Sequence, residues 1–113
     1  MKRRLFNWIA VITLAFTIAS CVDKTPLTGT QQVYAGKWIA SDGTYIQIYL
    51  DGGGDFKGSN TSIEGGATSI KGNEINIGLG PVQKTFKITK QPYTTAGKIS
   101  IELDGIEFTK TSP

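Results

Sequence analysis

The chain has 113 residues, with 12 Lys and Arg, 9 Asp and Glu, one Cys and no His. The lack of histidine excludes Ser-His and Cys-His nucleophile systems and most zinc sites. Three of the twelve basic residues, Lys2, Arg3 and Arg4, precede an apolar run; without them nine lysines face nine acids, so the pI near 9.1 belongs to the whole chain and no basic face for nucleic acid is expected.

Leu5 to Ala19 is mostly Ile, Leu, Phe, Ala and Val. At about fifteen residues it is too short for a membrane span, which needs ~20, and it fits the apolar core of a secretory signal behind a basic head. The alternative is an uncut N-terminal anchor helix. The run ends in Ile18-Ala19-Ser20-Cys21, an aliphatic residue, two small residues and the chain's one cysteine. That exit resembles the bacterial lipobox. The resemblance implies cleavage before Cys21, diacylglycerol on its thiol and a further acyl chain, such as palmitate, on its amine, with residues 1–20 as signal peptide. It implies anchoring to the cell envelope without a spanning helix. Val22 directly follows the cysteine, and Asp23 comes one position later than in an inner-membrane retention signal. The expectation is the outer membrane facing the periplasm in preference to the inner membrane, or the outer leaflet of the plasma membrane in a Gram-positive source. No cofactor is expected apart from this covalent lipid.

Residues 21–32 read as a lipidated N-terminus and flexible tether, with Pro, Gly, Thr and charges and no apolar period. Residues 33–113 read as one all-β domain of about eight short antiparallel strands. "KWIASDGTYI" offers two turns. A three-residue loop Ser41-Asp42-Gly43 pairs Trp38 with Ile46, and is preferred to a two-residue turn because it buries the domain's only tryptophan. "TYIQIYL" puts Ile46, Ile48 and Leu50 on one face, with Tyr45, Gln47 and Tyr49 on the other. "DGGGDF" reads as a hairpin loop whose glycines supply positive φ. "SIKGNEINI" turns at Gly72-Asn73, pairing Ile70 with Ile75 and Lys71 with Glu74. "VQKTFKIT" points Val82, Phe86 and Ile88 inward. "KQPYTTAG" reads as the longest loop, with Tyr93 at its tip. "KISIEL" and "IEF" point Ile99, Ile101, Leu103, Ile106 and Phe108 inward around a two-residue Asp104-Gly105 turn, which pairs Leu103 with Ile106.

A meander of this kind closes into a small barrel and so removes its edges. Gly36-Lys37-Trp38 at the start of the first strand resembles the G-x-W motif of lipocalins, and the domain as a whole resembles small lipocalin-like lipoproteins. The resemblance implies that Trp38 plugs the closed end and that a basic residue near the chain end, Lys110, stacks on it. The domain is about half a lipocalin's length and has no C-terminal helical pattern. Its large inward side chains are expected to fill the barrel.

For function, the acids Asp42, Asp51, Asp55, Asp104, Glu64, Glu74, Glu102 and Glu107 sit at turns or outward positions, where solvated turn chemistry accounts for them. No catalytic or metal-binding residue is assigned. Tyr45 and Tyr49, on an otherwise polar face, and Tyr93 are the candidate contacts for a protein partner. The expectation is a non-enzymatic, lipid-anchored protein that binds another protein as an inhibitor, immunity or assembly factor. A carrier of a small apolar ligand is the alternative, and a carboxylate-based hydrolase a remote one.

Overall fold

Period-two alternation of Ile, Val, Phe and Thr with polar residues makes strands with one apolar face, and such a sheet must bury that face. In the computed structural model, which describes residues 23–111, it does so by closing on itself. The expected signal segment and lipobox, with Cys21, lie outside the described residues. The strands are β1 (Gly36–Ala40), β2 (Tyr45–Ile48), β3 (Gly53–Lys57), β4 (Ser62–Lys71), β5 (Glu74–Leu79), β6 (Val82–Thr95), β7 (Lys98–Leu103) and β8 (Ile106–Thr111). Each pairs antiparallel with the next, and β8 pairs with β1, giving a closed eight-stranded meander barrel. The expected all-β barrel is the observed fold.

The expected registers are found at all three testable hairpins. Trp38 faces Ile46, with Gly43 at φ +90° in the three-residue loop. Ile70 faces Ile75 and Lys71 faces Glu74. Leu103 faces Ile106 across a turn in which Asp104 and Gly105 both have positive φ, as type I′ requires.

The topology gives the barrel two different ends. The turns after β1, β3, β5 and β7 share one end, here called the mouth. The turns after β2, β4 and β6, together with both chain termini of the domain, share the other. A 3₁₀ helix, Gly29–Tyr34, covers that second end and adds Tyr34 to the core that contains Trp38, and Leu27, just before the helix, joins the same core. Gln31 ties it down: its side-chain oxygen accepts the Thr28 N–H (3.1 Å), and its Nε2 donates to the Ile70 carbonyl (3.1 Å). Residues 21–32 were expected to form a free tether. From Thr25 onward that segment instead packs on the barrel: the Leu27 N–H donates to the Leu50 carbonyl (3.0 Å) and Leu27 is buried. One buried leucine and a capped turn are enough to dock a segment without any apolar period.

Four residues expected inside are exposed: Leu50, Val82, Ile99 and Ile106. Val82, Ile99 and Ile106 keep the inward phase of their strands but lie at or beyond the last rungs of the barrel. Leu50 sits in the β2–β3 turn, which the Gly52 N–H closes onto the Tyr49 carbonyl (3.0 Å). Two loops also differ. Only Gly52 of the glycine run has positive φ; Gly53 and Gly54 are buried strand residues of β3. A Cβ on Gly54 would overlap Thr68 Oγ1, and that hydroxyl donates to the Gly53 carbonyl (2.8 Å). The segment around Tyr93 is strand, because β6 runs to Thr95 and turns only at Ala96-Gly97. Register shifts on either side of Lys90 accommodate Pro92, which has no N–H for the ladder.

Candidate functional site

The lower barrel is solid. Trp38, Ile46, Ile48, Ile75, Ile77 and Ile101 are essentially without solvent contact. Above them the mouth opens into a cup of about 390 Å³. Phe56, Phe86 and Phe108, from β3, β6 and β8, line it as two edge-to-face pairs, with centroids 5.5 Å and 6.4 Å apart. Leu103 and Ala40 complete the apolar wall, and Asp42, Asn60, Asp104 and Ile106 stand around the opening. The volume falls in the lower part of the range of small-molecule sites, ~300–1,000 Å³. The barrel interior is filled, as expected, and the cup is an open depression above that core; Ile106, one of the side chains expected inside, stands at its edge.

Among the described residues Lys84 is the only cation lining the cup. It faces Ile77 across the β5–β6 ladder, and its Nζ lies 5.3 Å from the Phe86 centroid and 5.8 Å from that of Phe56. Its position was legible: Val82, Lys84, Phe86 and Ile88 are in one phase, so a charge interrupts an inward-facing row. Sequence reading passed over it. The two mouth carboxylates are engaged locally. Asp42 Oδ1 accepts the Thr44 N–H (2.9 Å), which lowers the pKa of Asp42, and Asp104 Oδ1 accepts the Lys87 N–H (3.0 Å).

The three tyrosines do not form one patch. Tyr45 points outward on β2 beneath Lys37 Nζ, 4.4 Å from the ring centroid. Tyr49 borders the same shallow depression, with Asp51, Asp55 and Glu64. Its hydroxyl donates to Asp55 Oδ2 (2.7 Å), while Asp55 Oδ1 accepts the Gly65 N–H (2.8 Å). That hydrogen bond, helped by the negative charge of Asp55, pushes the Tyr49 phenol up to about 12. Tyr93 lies on the β6–β8 side, where its hydroxyl donates to Glu107 Oε2 (2.7 Å) and its pKa is raised by that bond. Tyr49 thus ties the β2–β3 turn to β3, and Tyr93 reaches across β7 from β6 to β8.

Trp38 and Lys110 do come together. They are direct partners in the β1–β8 ladder, and Lys110 Nζ lies 5.6 Å from the Trp38 ring centroid. The indole Nε1 donates to the Tyr34 carbonyl (2.9 Å), joining the barrel floor to the 3₁₀ helix. Among the described residues no group of three or more His, Cys, Asp or Glu side chains is placed to hold a metal ion. Compared with protein-family models, curated proteins and solved structures, the chain matches none.

Proposed function

We propose that this is a non-enzymatic binding protein of the bacterial envelope, tethered through a lipid on Cys21, whose mouth takes up a small amphiphilic molecule with an apolar body and an anionic group. The observation that carries this reading is the pairing of the Phe56-Phe86-Phe108 wall with Lys84, the one cation among the described residues that lines the open cup of about 390 Å³. The rings supply apolar area with fixed geometry. An ammonium set against apolar walls strengthens a charge-assisted hydrogen bond to an anion. A second reading is favoured by Leu79, Val82 and Ile106, which are exposed around the mouth. On that reading, a protein partner covers the rim and inserts a side chain into the cup.

Two fluorescent probes test the first reading: 1-anilinonaphthalene-8-sulfonate and the uncharged N-phenyl-1-naphthylamine. Both should bind saturably, one per barrel, with energy transfer from Trp38, the one tryptophan left once the leader is removed. Lys84→Gln should weaken the sulfonate about tenfold, the ~1.4 kcal/mol of a modest charge-assisted bond, and leave the neutral amine nearly unaffected. Absence of saturable binding by either probe would refute the small-ligand reading.

A further inference from the structure

The end of the barrel opposite the mouth carries its own exposed apolar group: Val33 on the 3₁₀ helix, Tyr49 and Leu50 in the β2–β3 turn, and Ile99 beside the β6–β7 turn. The chain enters the domain at this same end. Leu27 is hydrogen-bonded to Leu50, and the Thr25 carbonyl is packed so closely on Gly52 that any Cβ there would overlap it. Only Val22, Asp23 and Lys24 separate Thr25 from Cys21. Four extended peptide steps span about 14 Å, and a headgroup layer takes up roughly 5–8 Å of that on one side of a bilayer. An acylated Cys21 therefore leaves the Leu50 turn only a few ångströms of freedom from the lipid surface. A free tether of eleven residues would have left the barrel's orientation open, whereas this leash fixes which end faces the membrane.

Charge does not decide the matter. Lys24, Lys37, Lys71, Lys98 and Lys110 at or near this end are offset by Asp23, Asp51, Asp55, Glu64 and Glu74, so neither attraction to nor repulsion from anionic headgroups dominates. What remains is the short leash and the unpartnered apolar side chains, with Leu50 the most exposed of them.

We infer that the end bearing the 3₁₀ helix docks on the bilayer that holds Cys21, with Leu50 and Val33 in the lipid interface and the mouth opening away from the membrane. The occupant of this apolar surface is the lipid bilayer itself. The inference rests on lipidation of Cys21, and its test separates the two. Protein acylated on Cys21 is reconstituted into phosphatidylethanolamine–phosphatidylglycerol vesicles, carrying a nitroxide on either Leu50→Cys or Ile106→Cys, the only free thiol in each case. Collision with a water-soluble nickel chelate is then measured by electron paramagnetic resonance. The label at 50 should be shielded several-fold relative to the label at 106, and should gain access to oxygen. Equal chelate access at both positions, with the lipid on Cys21 verified by mass spectrometry, would overturn the orientation while leaving the anchor standing. An unmodified Cys21 would overturn both.

Discussion

Lys110 lies across the indole of Trp38 on the rung where the last strand meets the first, and it gets there by passing over Gly36. Gly36 has φ +130°, and a Cβ added there would sit 2.5 Å from Lys110 Cε. The glycine and the tryptophan of Gly36-Lys37-Trp38 thus have linked tasks. One clears the path for the lysine stem, and the other is covered by it. Trp38 in turn holds the 3₁₀ helix through its indole N–H, so one cluster closes both the barrel seam and the barrel end.

Gly36→Ala should therefore destabilise the domain by about 1–3 kcal/mol, through positive φ and a displaced lysine. Lys110→Met keeps the stem and loses only the cation, which at a partly exposed site is worth ~1 kcal/mol or less. Denaturation followed by Trp38 fluorescence ranks the two. A larger loss for Lys110→Met would show that the charge, and not the cleared path, matters here.

Gly54 and Thr68 should be energetically coupled. Gly54→Ala drives a methyl group against Thr68 Oγ1, with an expected cost of about 1–3 kcal/mol for overpacking. Thr68→Ala alone removes the hydrogen bond to the Gly53 carbonyl and should cost ~1 kcal/mol or somewhat more. In the double variant the clash is relieved, so it should be more stable than the sum of the two single losses. Simple additivity would contradict this packing.

The Tyr49–Asp55 bond has a definite pH signature. The folded phenol is raised to about 12, above its ordinary value of ~10, so the folded state holds this proton more tightly. The stabilisation is fully present below pH ~10 and is lost as pH rises from there through about 12. Asp55→Asn should bring the Tyr49 titration, followed by ring NMR signals, back toward the ordinary phenol range. An unchanged midpoint in that variant would assign the shift to something other than Asp55.

Cys21→Ser should block lipidation and leave uncleaved precursor, with the barrel still folded. Near-native far-ultraviolet circular dichroism together with loss of the acyl mass in the variant is the expected pair of results. Processing at the wild-type position in the serine variant would contradict the lipoprotein reading.

Most of this fold could be read from phase and turns. Strand order, inward faces and three hairpin registers follow from alternation and from Asp104-Gly105, Gly72-Asn73 and Ser41-Asp42-Gly43, because these are local rules. The barrel's length along its axis is not local. Leu50, Val82, Ile99 and Ile106 follow the pattern of core residues, but no neighbouring rung covers them. Leu27 shows the converse, since its burial depends on the β2–β3 turn more than twenty positions away. The cup was hidden for the same reason, while Lys84 left a visible trace as a charge in an inward row. The stretch Lys90 to Gly97 reads as a loop, yet register shifts on either side of Lys90 carry Tyr93 within β6.

The most direct test of the central claim is an NMR titration of the isotopically labelled domain with 1-anilinonaphthalene-8-sulfonate. The ring signals of Phe56, Phe86 and Phe108 and the methyl signals of Leu103 and Ile106 should shift together and saturate, while those of Leu27, Ile48 and Ile75 stay fixed. Shifts confined to Val33, Leu50 and Ile99, with the three phenylalanines unmoved, would contradict a binding site in the mouth.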